Sequence, residues 1–105
     1  MPRGITKPDW DRVEQLAWEV VNTSEAGDDL SNASAVSELL QYLQKLLQKY
    51  GDHPSILSTI GDFLDDPDER MTYYKKALEL AREHGDKAEE EETLDSIKHL
   101  KERIS

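Results

Sequence analysis

Cysteine is absent from this chain, which removes both a disulfide framework and thiolate chemistry. No apolar run approaches the ~20 residues of a membrane span. The opening MPRGITKPDW lacks the apolar core of a secretory leader, so a soluble, cytoplasmic protein away from membranes is expected. Cations are scarce: 13 Lys and Arg stand against 23 Asp and Glu, a formal net charge of −10. Phosphate binding needs clustered Lys and Arg, so nucleic acid is not expected as a partner. β-Branched residues are sparse and no stretch alternates apolar with polar for long, which argues against strands. The 105 residues suit one domain over 1–105 with a modest core, too small for separate catalytic and substrate domains.

Leu, Glu, Lys, Gln and Ala are abundant, and their apolar members recur with helical period almost end to end. The pattern predicts an all-α fold of about five antiparallel helices. The first spans 8–24, with Pro8 in its first turn and Trp10, Val13, Leu16, Ala17, Val20 and Val21 on one arc. A loop over Glu25–Asn32 precedes a second helix over 33–50, N-capped by Ser31 or Asn32 and closed by Gly51. Its apolar surface is wide: Val36, Leu40, Leu43, Leu47 and Tyr50 run beside Leu39, Tyr42 and Leu46. The third helix covers 54–64, and the fourth covers 67–84 with Asp66 as N-cap and Glu69 three residues on. Asp86 and Glu89 start a fifth over 87–103, with Leu94, Ile97, Leu100 and Ile104 as its apolar side and its first turns, Lys87–Glu92, projecting into water. Short connections imply antiparallel neighbours.

Two helix ends run into Gly-Asp 34 residues apart, at Gly51 and Gly85. The run Tyr73-Tyr74-Lys75-Lys76-Ala77-Leu78-Glu79-Leu80 resembles the second helix of a tetratricopeptide repeat, with Tyr74 at its large aromatic position and Ala77 at its small one. Ile60-Gly61 is similar to the Leu-Gly pair of the first helix, Ile56 or Leu57 stands where Trp is frequent, and Leu64 where Tyr is. The resemblance is good over 54–85, fair over 36–53 and poor before that. The turn after the third helix is about three residues short of the family pattern. Arg70 stands where Ala is usual, and the first hairpin has a long loop. The resemblance implies stacked helical hairpins, a protein-binding scaffold and no catalysis. The basic clamp that some members use for a C-terminal carboxylate has no counterpart here.

Candidate chemistry is thin. His53, His84 and His99 are scattered, and the acids Asp62, Asp65, Asp66, Asp68 and Glu69 lack the ligand spacing of a calcium loop, so no metal or other cofactor is expected. No Ser-His-Asp order or Gly-rich phosphate loop occurs, so catalytic residues are not assigned and an enzyme is not expected. Charge distribution is more informative. No Lys or Arg lies between Arg12 and Lys45, an interval holding Glu14, Glu19, Glu25, Asp28, Asp29 and Glu38. Trp18 falls outside the core arc, beside Asp11, Glu14 and Glu25. It is either an exposed anchor with an acidic rim or a side chain packed under the following loop or against the second helix.

These features point to a non-enzymatic, acidic protein-interaction domain whose partner has a basic surface. In its sharpest form it is an immunity or antitoxin-type inhibitor of a toxin. Asp11, Glu14, Trp18, Glu25, Asp28 and Asp29 are the candidate contact residues. The alternatives are a homo-oligomeric (for example dimeric) helical adaptor using the fifth helix and, more remotely, a metal-assisted enzyme.

Overall fold

A computed structural model describes residues 2–104, and of Ile104 only the backbone. Five helices follow in order: α1 (Lys7–Glu25), α2 (Asp29–Tyr50), α3 (Pro54–Phe63), α4 (Pro67–Glu83) and α5 (Lys87–Ile104). No strand occurs among the described residues, and the fold is all-α. Where the sequence suggests one domain, the chain groups into two compact units, Met1–Gly51 and Asp52–Ser105. Each has its own core.

Unit 1 is the α1–α2 hairpin. Its core joins Val13, Leu16 and Val20 of α1 to Ala35, Leu39, Leu43 and Leu46 of α2, with Ile5 tucked in ahead of α1. Leu39 and Leu43 are fully buried, and each such leucine contributes about 1.5–3 kcal/mol over an exposed one. The open end is fastened by polar groups. Asp9 accepts from Lys49 Nζ at 2.7 Å and from the Tyr50 hydroxyl, which also lies 3.2 Å from the Thr6 amide nitrogen.

The start of α2 differs from expectation. The helix begins at Asp29, four residues before 33, and the connection shrinks from Glu25–Asn32 to a tight Ala26-Gly27-Asp28 turn. The cap is Asp28 and neither Ser31 nor Asn32. Its carboxylate accepts from the Ser31 amide at 3.1 Å and from the Ser31 hydroxyl at 2.8 Å, which satisfies a first-turn donor and starts the helix without a buried apolar residue in its first turn. Asn32 instead turns inward and donates to the Val20 carbonyl at 2.9 Å and to Thr23 Oγ1 at 3.2 Å. At the far end Gly51 closes α2 at φ 76° and ψ −171°, a positive-φ conformation outside the left-handed helical basin.

Unit 2 packs α4 against both α3 and α5. Asp66 caps α4 through the Glu69 amide at 3.3 Å, and Asp86 caps α5 through the Glu89 amide at 3.1 Å, as the sequence indicates. Tyr74 is the pivot. Its ring packs with Ile97 and Leu100 of α5, flanked by Met71 and Leu78. The same ring lies over Gly61 of α3, where an added Cβ would stand only 2.8 Å from the ring. Arg70 has a local reason to be there: its Nε donates to the Gly61 carbonyl at 2.9 Å, and its guanidinium donates to the Tyr74 hydroxyl at 3.2 Å.

The first turns of α5 do not simply project into water. Glu89 turns onto α3, where its two oxygens accept from Ser55 Oγ at 3.0 Å and Ser58 Oγ at 2.9 Å. One turn later Thr93 is buried at 1% exposure. A polar seam there replaces the apolar contacts that the helical period detects. Leu94, expected on the apolar side, is 41% exposed, while Ile97 and Leu100 are buried. The side chain of Ile104 lies outside the described residues.

Candidate functional site

The α1 face opposite its core carries Asp11, Glu14, Trp18, Val21 and Glu25, separated by steps of three, four, three and four and all exposed. On an α-helix that spacing makes one continuous stripe about 21 Å long. Trp18 is 65% exposed and so packs neither under the turn nor against α2. Val21, expected in the core, is 52% exposed: it lies about 100° from Val20 and too far around the helix to reach α2. Just beyond the turn Leu30 is 86% exposed. Its position is half a turn of the wheel from Leu39, a signal legible only once α2 is known to start at Asp29. Three large exposed apolar side chains therefore fall within thirteen residues of one hairpin end.

Charge singles out the same end. Unit 1 as a whole is not the more acidic half: it holds eight Asp and Glu against five Lys and Arg, net −3, whereas unit 2 holds fifteen against eight, net −7. What distinguishes unit 1 is segregation. Arg3, Lys7, Arg12, Lys45 and Lys49 all lie at the open end, because an antiparallel hairpin returns its last residues to its first. From residue 13 to residue 44 unit 1 holds six carboxylates and no Lys or Arg, and of these Glu38 is reached by Arg12.

The six candidate residues do not share one environment. Glu14, Trp18 and Glu25 lie on the stripe. Asp11 opens it but is held 2.7 Å from Lys7 Nζ, which offsets its charge and pushes the lysine pKa up. Asp28 is engaged as the α2 cap, and the Ser31 amide holds its pKa below the ordinary range. Asp29 is exposed in the first turn of α2. Beside the stripe a shallow groove of about 260 Å³ runs between the two helices, lined by Glu19, Asn22 and Thr23 of α1 and Ser31, Ser34 and Glu38 of α2 among others. Glu38 accepts there from Arg12 at 3.3 Å.

Among the described residues no group of three or more His, Asp and Glu side chains comes together as a metal site. His53 sits at the N-terminus of α3, where its Nδ1 accepts from the Ser55 amide at 3.1 Å. Among the described residues no helix is long and apolar enough to cross a membrane. No family model, curated protein or solved structure matches the chain.

Proposed function

We propose that this chain is a non-enzymatic protein-interaction domain. Its anionic hairpin end receives a basic surface of a protein partner, and in its sharpest form it is a cytoplasmic immunity or antitoxin-type inhibitor that covers the basic face of a toxin. The observation that carries the reading is Trp18 at 65% exposure, next to exposed Val21, in a region without a single Lys or Arg from residue 13 to residue 44. An exposed tryptophan ringed by like charge suits an anchor with a charged rim: the ring supplies buried area on docking, and the rim steers encounter and selects the sign of the partner. Unit 2 is tetratricopeptide-like in this reading, supported by the close Gly61–Tyr74 approach and by Ala77, which is wholly buried.

Affinity capture with the intact chain at low salt tests this. The expected result is a partner with a positive patch, released as salt rises and lost with Trp18→Ala. Salt-independent capture of a partner without such a patch overturns the reading. A homo-oligomeric adaptor is the second reading. It is favoured by Leu94, which lines a shallow depression of about 480 Å³ with Ile97, Lys98, Lys101 and Glu102 on α5. Sedimentation at two concentrations separates the two readings, since a concentration-independent monomer excludes the second.

A further inference from the structure

The spacing of the α1 stripe specifies more than a sign of charge. Glu14, Trp18, Val21 and Glu25 follow at steps of four, three and four on a helix whose opposite side is closed by Val13, Leu16 and Val20. Alternating steps of three and four are the seam through which one α-helix receives the side chains of another. An extended strand repeats its side chains every two residues and has no matching register along such a line. From Glu14 to Glu25 the stripe covers about 16 Å of axis, or three turns. Its centre is apolar and both ends are anionic. The last turn of α1 contains no basic residue, so the negative pole of its dipole adds to Glu25.

We propose that the partner docks through a basic amphipathic α-helix of about three turns laid along α1. Its aliphatic side chains cover Trp18 and Val21, and a Lys or Arg on each flank meets Glu14 and Glu25. A further long cationic side chain from that helix reaches the groove beside the stripe, where Glu19 and Ser34 supply oxygen acceptors. The inference rests on the reading of this chain as the binder of a basic protein, and adds the form of the element that binds.

The test uses the full chain, labelled with ¹⁵N, and three helix-stabilised 15-residue peptides. One carries Leu along a three-four seam flanked by Lys and Arg, one has the same composition with the seam scrambled, and one keeps the seam but replaces Lys and Arg by Glu. The seam peptide is expected to shift the amides of residues 14–25 and the Trp18 indole. Trp18→Ala and the double variant Glu14→Lys, Glu25→Lys should each weaken its binding about tenfold or more, a loss of about 1.4 kcal/mol or more. The scrambled peptide should bind at least about tenfold more weakly by the same conversion, and the acidic peptide should not bind. Equal binding of seam and scrambled peptides overturns helical docking while leaving a basic partner intact. Failure of both basic peptides to shift this face overturns the two readings together. Shifts of the face with protein concentration alone, abolished by Leu94→Ser, also overturn the proposal, since a second copy then covers the stripe.

Discussion

In unit 1 the Asp9 carboxylate lies against the Tyr50 hydroxyl and the Lys49 ammonium; in unit 2 the Asp62 carboxylate accepts from the Tyr74 hydroxyl at 2.6 Å, with Glu89 as a charged neighbour. The two contacts look alike and behave oppositely. The Lys49 hydrogen bond, then the Tyr50 hydroxyl, hold the Asp9 pKa down at about 2. Asp62 keeps an exposed edge, yet the atoms crowded around its carboxylate strip it of water and raise its pKa despite Tyr74 and Arg70. That burial, with Asp62 second, also pushes Tyr74 up to about 12. Unit 1 is thus clasped at its open end by Asp9, Lys49 and Tyr50 and at its turn by the Asp28 cap and Asn32, whereas unit 2 gathers its three helices around one tyrosine, polar toward Asp62 of α3 and apolar toward Ile97 and Leu100 of α5. The difference places tolerance to substitution in unit 1 and sensitivity in unit 2.

The largest test of that contrast is Gly61→Ala. The added Cβ would meet Tyr74 Cε1 at 2.8 Å and Cδ1 at 3.0 Å, and the ring, itself 1% exposed, has no room to withdraw. Overpacking of this kind costs about 1–3 kcal/mol. Native-state hydrogen exchange should show the loss at α3 and α4 amides. A double-mutant cycle with Tyr74→Leu should be non-additive, because the smaller side chain relieves the clash. Additive losses would mean that the approach of the two helices does not depend on this pair.

The counterpart in unit 1 is Asp28→Ala, which removes an N-cap and should cost about 1 kcal/mol. Both tryptophans, Trp10 and Trp18, lie in α1, so tryptophan emission during denaturation reads unit 1 directly. An unchanged transition would show that α2 starts without its cap. A gain is expected from Thr93→Val in unit 2. The Thr93 hydroxyl is buried and has no hydrogen-bond partner among the described residues, so a nearly isosteric apolar replacement should stabilise by about 1 kcal/mol. Loss of stability instead would reveal a hydrogen bond made by that hydroxyl.

Acid separates the two aspartates by sign. Asp9, with a folded pKa of about 2 against an ordinary 3.8, contributes stability that is present above about 3.8 and lost as pH falls through about 2. For Asp62 the folded pKa is raised, so its contribution is present below 3.8 and lost as pH rises through the raised value. Carboxyl ¹³C titration should therefore place Asp9 below and Asp62 above the ordinary aspartate range. Asp9→Asn should flatten the acid limb read by tryptophan emission, and equal midpoints for the two carboxylates would erase the contrast.

The parts of the fold carried by apolar period or by a cap were legible in the sequence: five helices and the Asp66 and Asp86 caps. Parts carried by polar side chains reaching across the chain were not. Glu89 was placed with the first turns of α5 in water because nothing in its spacing shows that it meets Ser55 and Ser58, 34 and 31 positions away. Asp28 was legible as a turn residue but not as the cap, since the turn of helix it starts has no apolar repeat. At the candidate site the sequence indicated Trp18 and its acidic neighbours, and left open whether the indole was covered. Val21 was missed because its angle put it at the edge of the arc assigned to the core, and Leu30 because it fell in a stretch read as loop.

The smallest expected effect on stability falls on the most prominent side chain. Trp18 leaves 65% of its area in water and stands opposite the buried line Val13, Leu16 and Val20, so truncation removes almost no packing. Alanine is also the better helix former, which offsets a few tenths of a kcal/mol of whatever contact is lost. Trp18→Ala should therefore leave the unfolding midpoint within about 0.5 kcal/mol of the parent, as surface changes do. Trp10→Ala, on the same helix but half-buried at its core edge, should lower it clearly. Reading both by far-ultraviolet circular dichroism avoids the loss of the fluorophore. If the two substitutions cost the same, Trp18 belongs to the packing of unit 1 and the α1 stripe has no anchor to offer. If Trp18→Ala is neutral, a large aromatic side chain stands in water without serving the fold, and its use must be sought in what docks there.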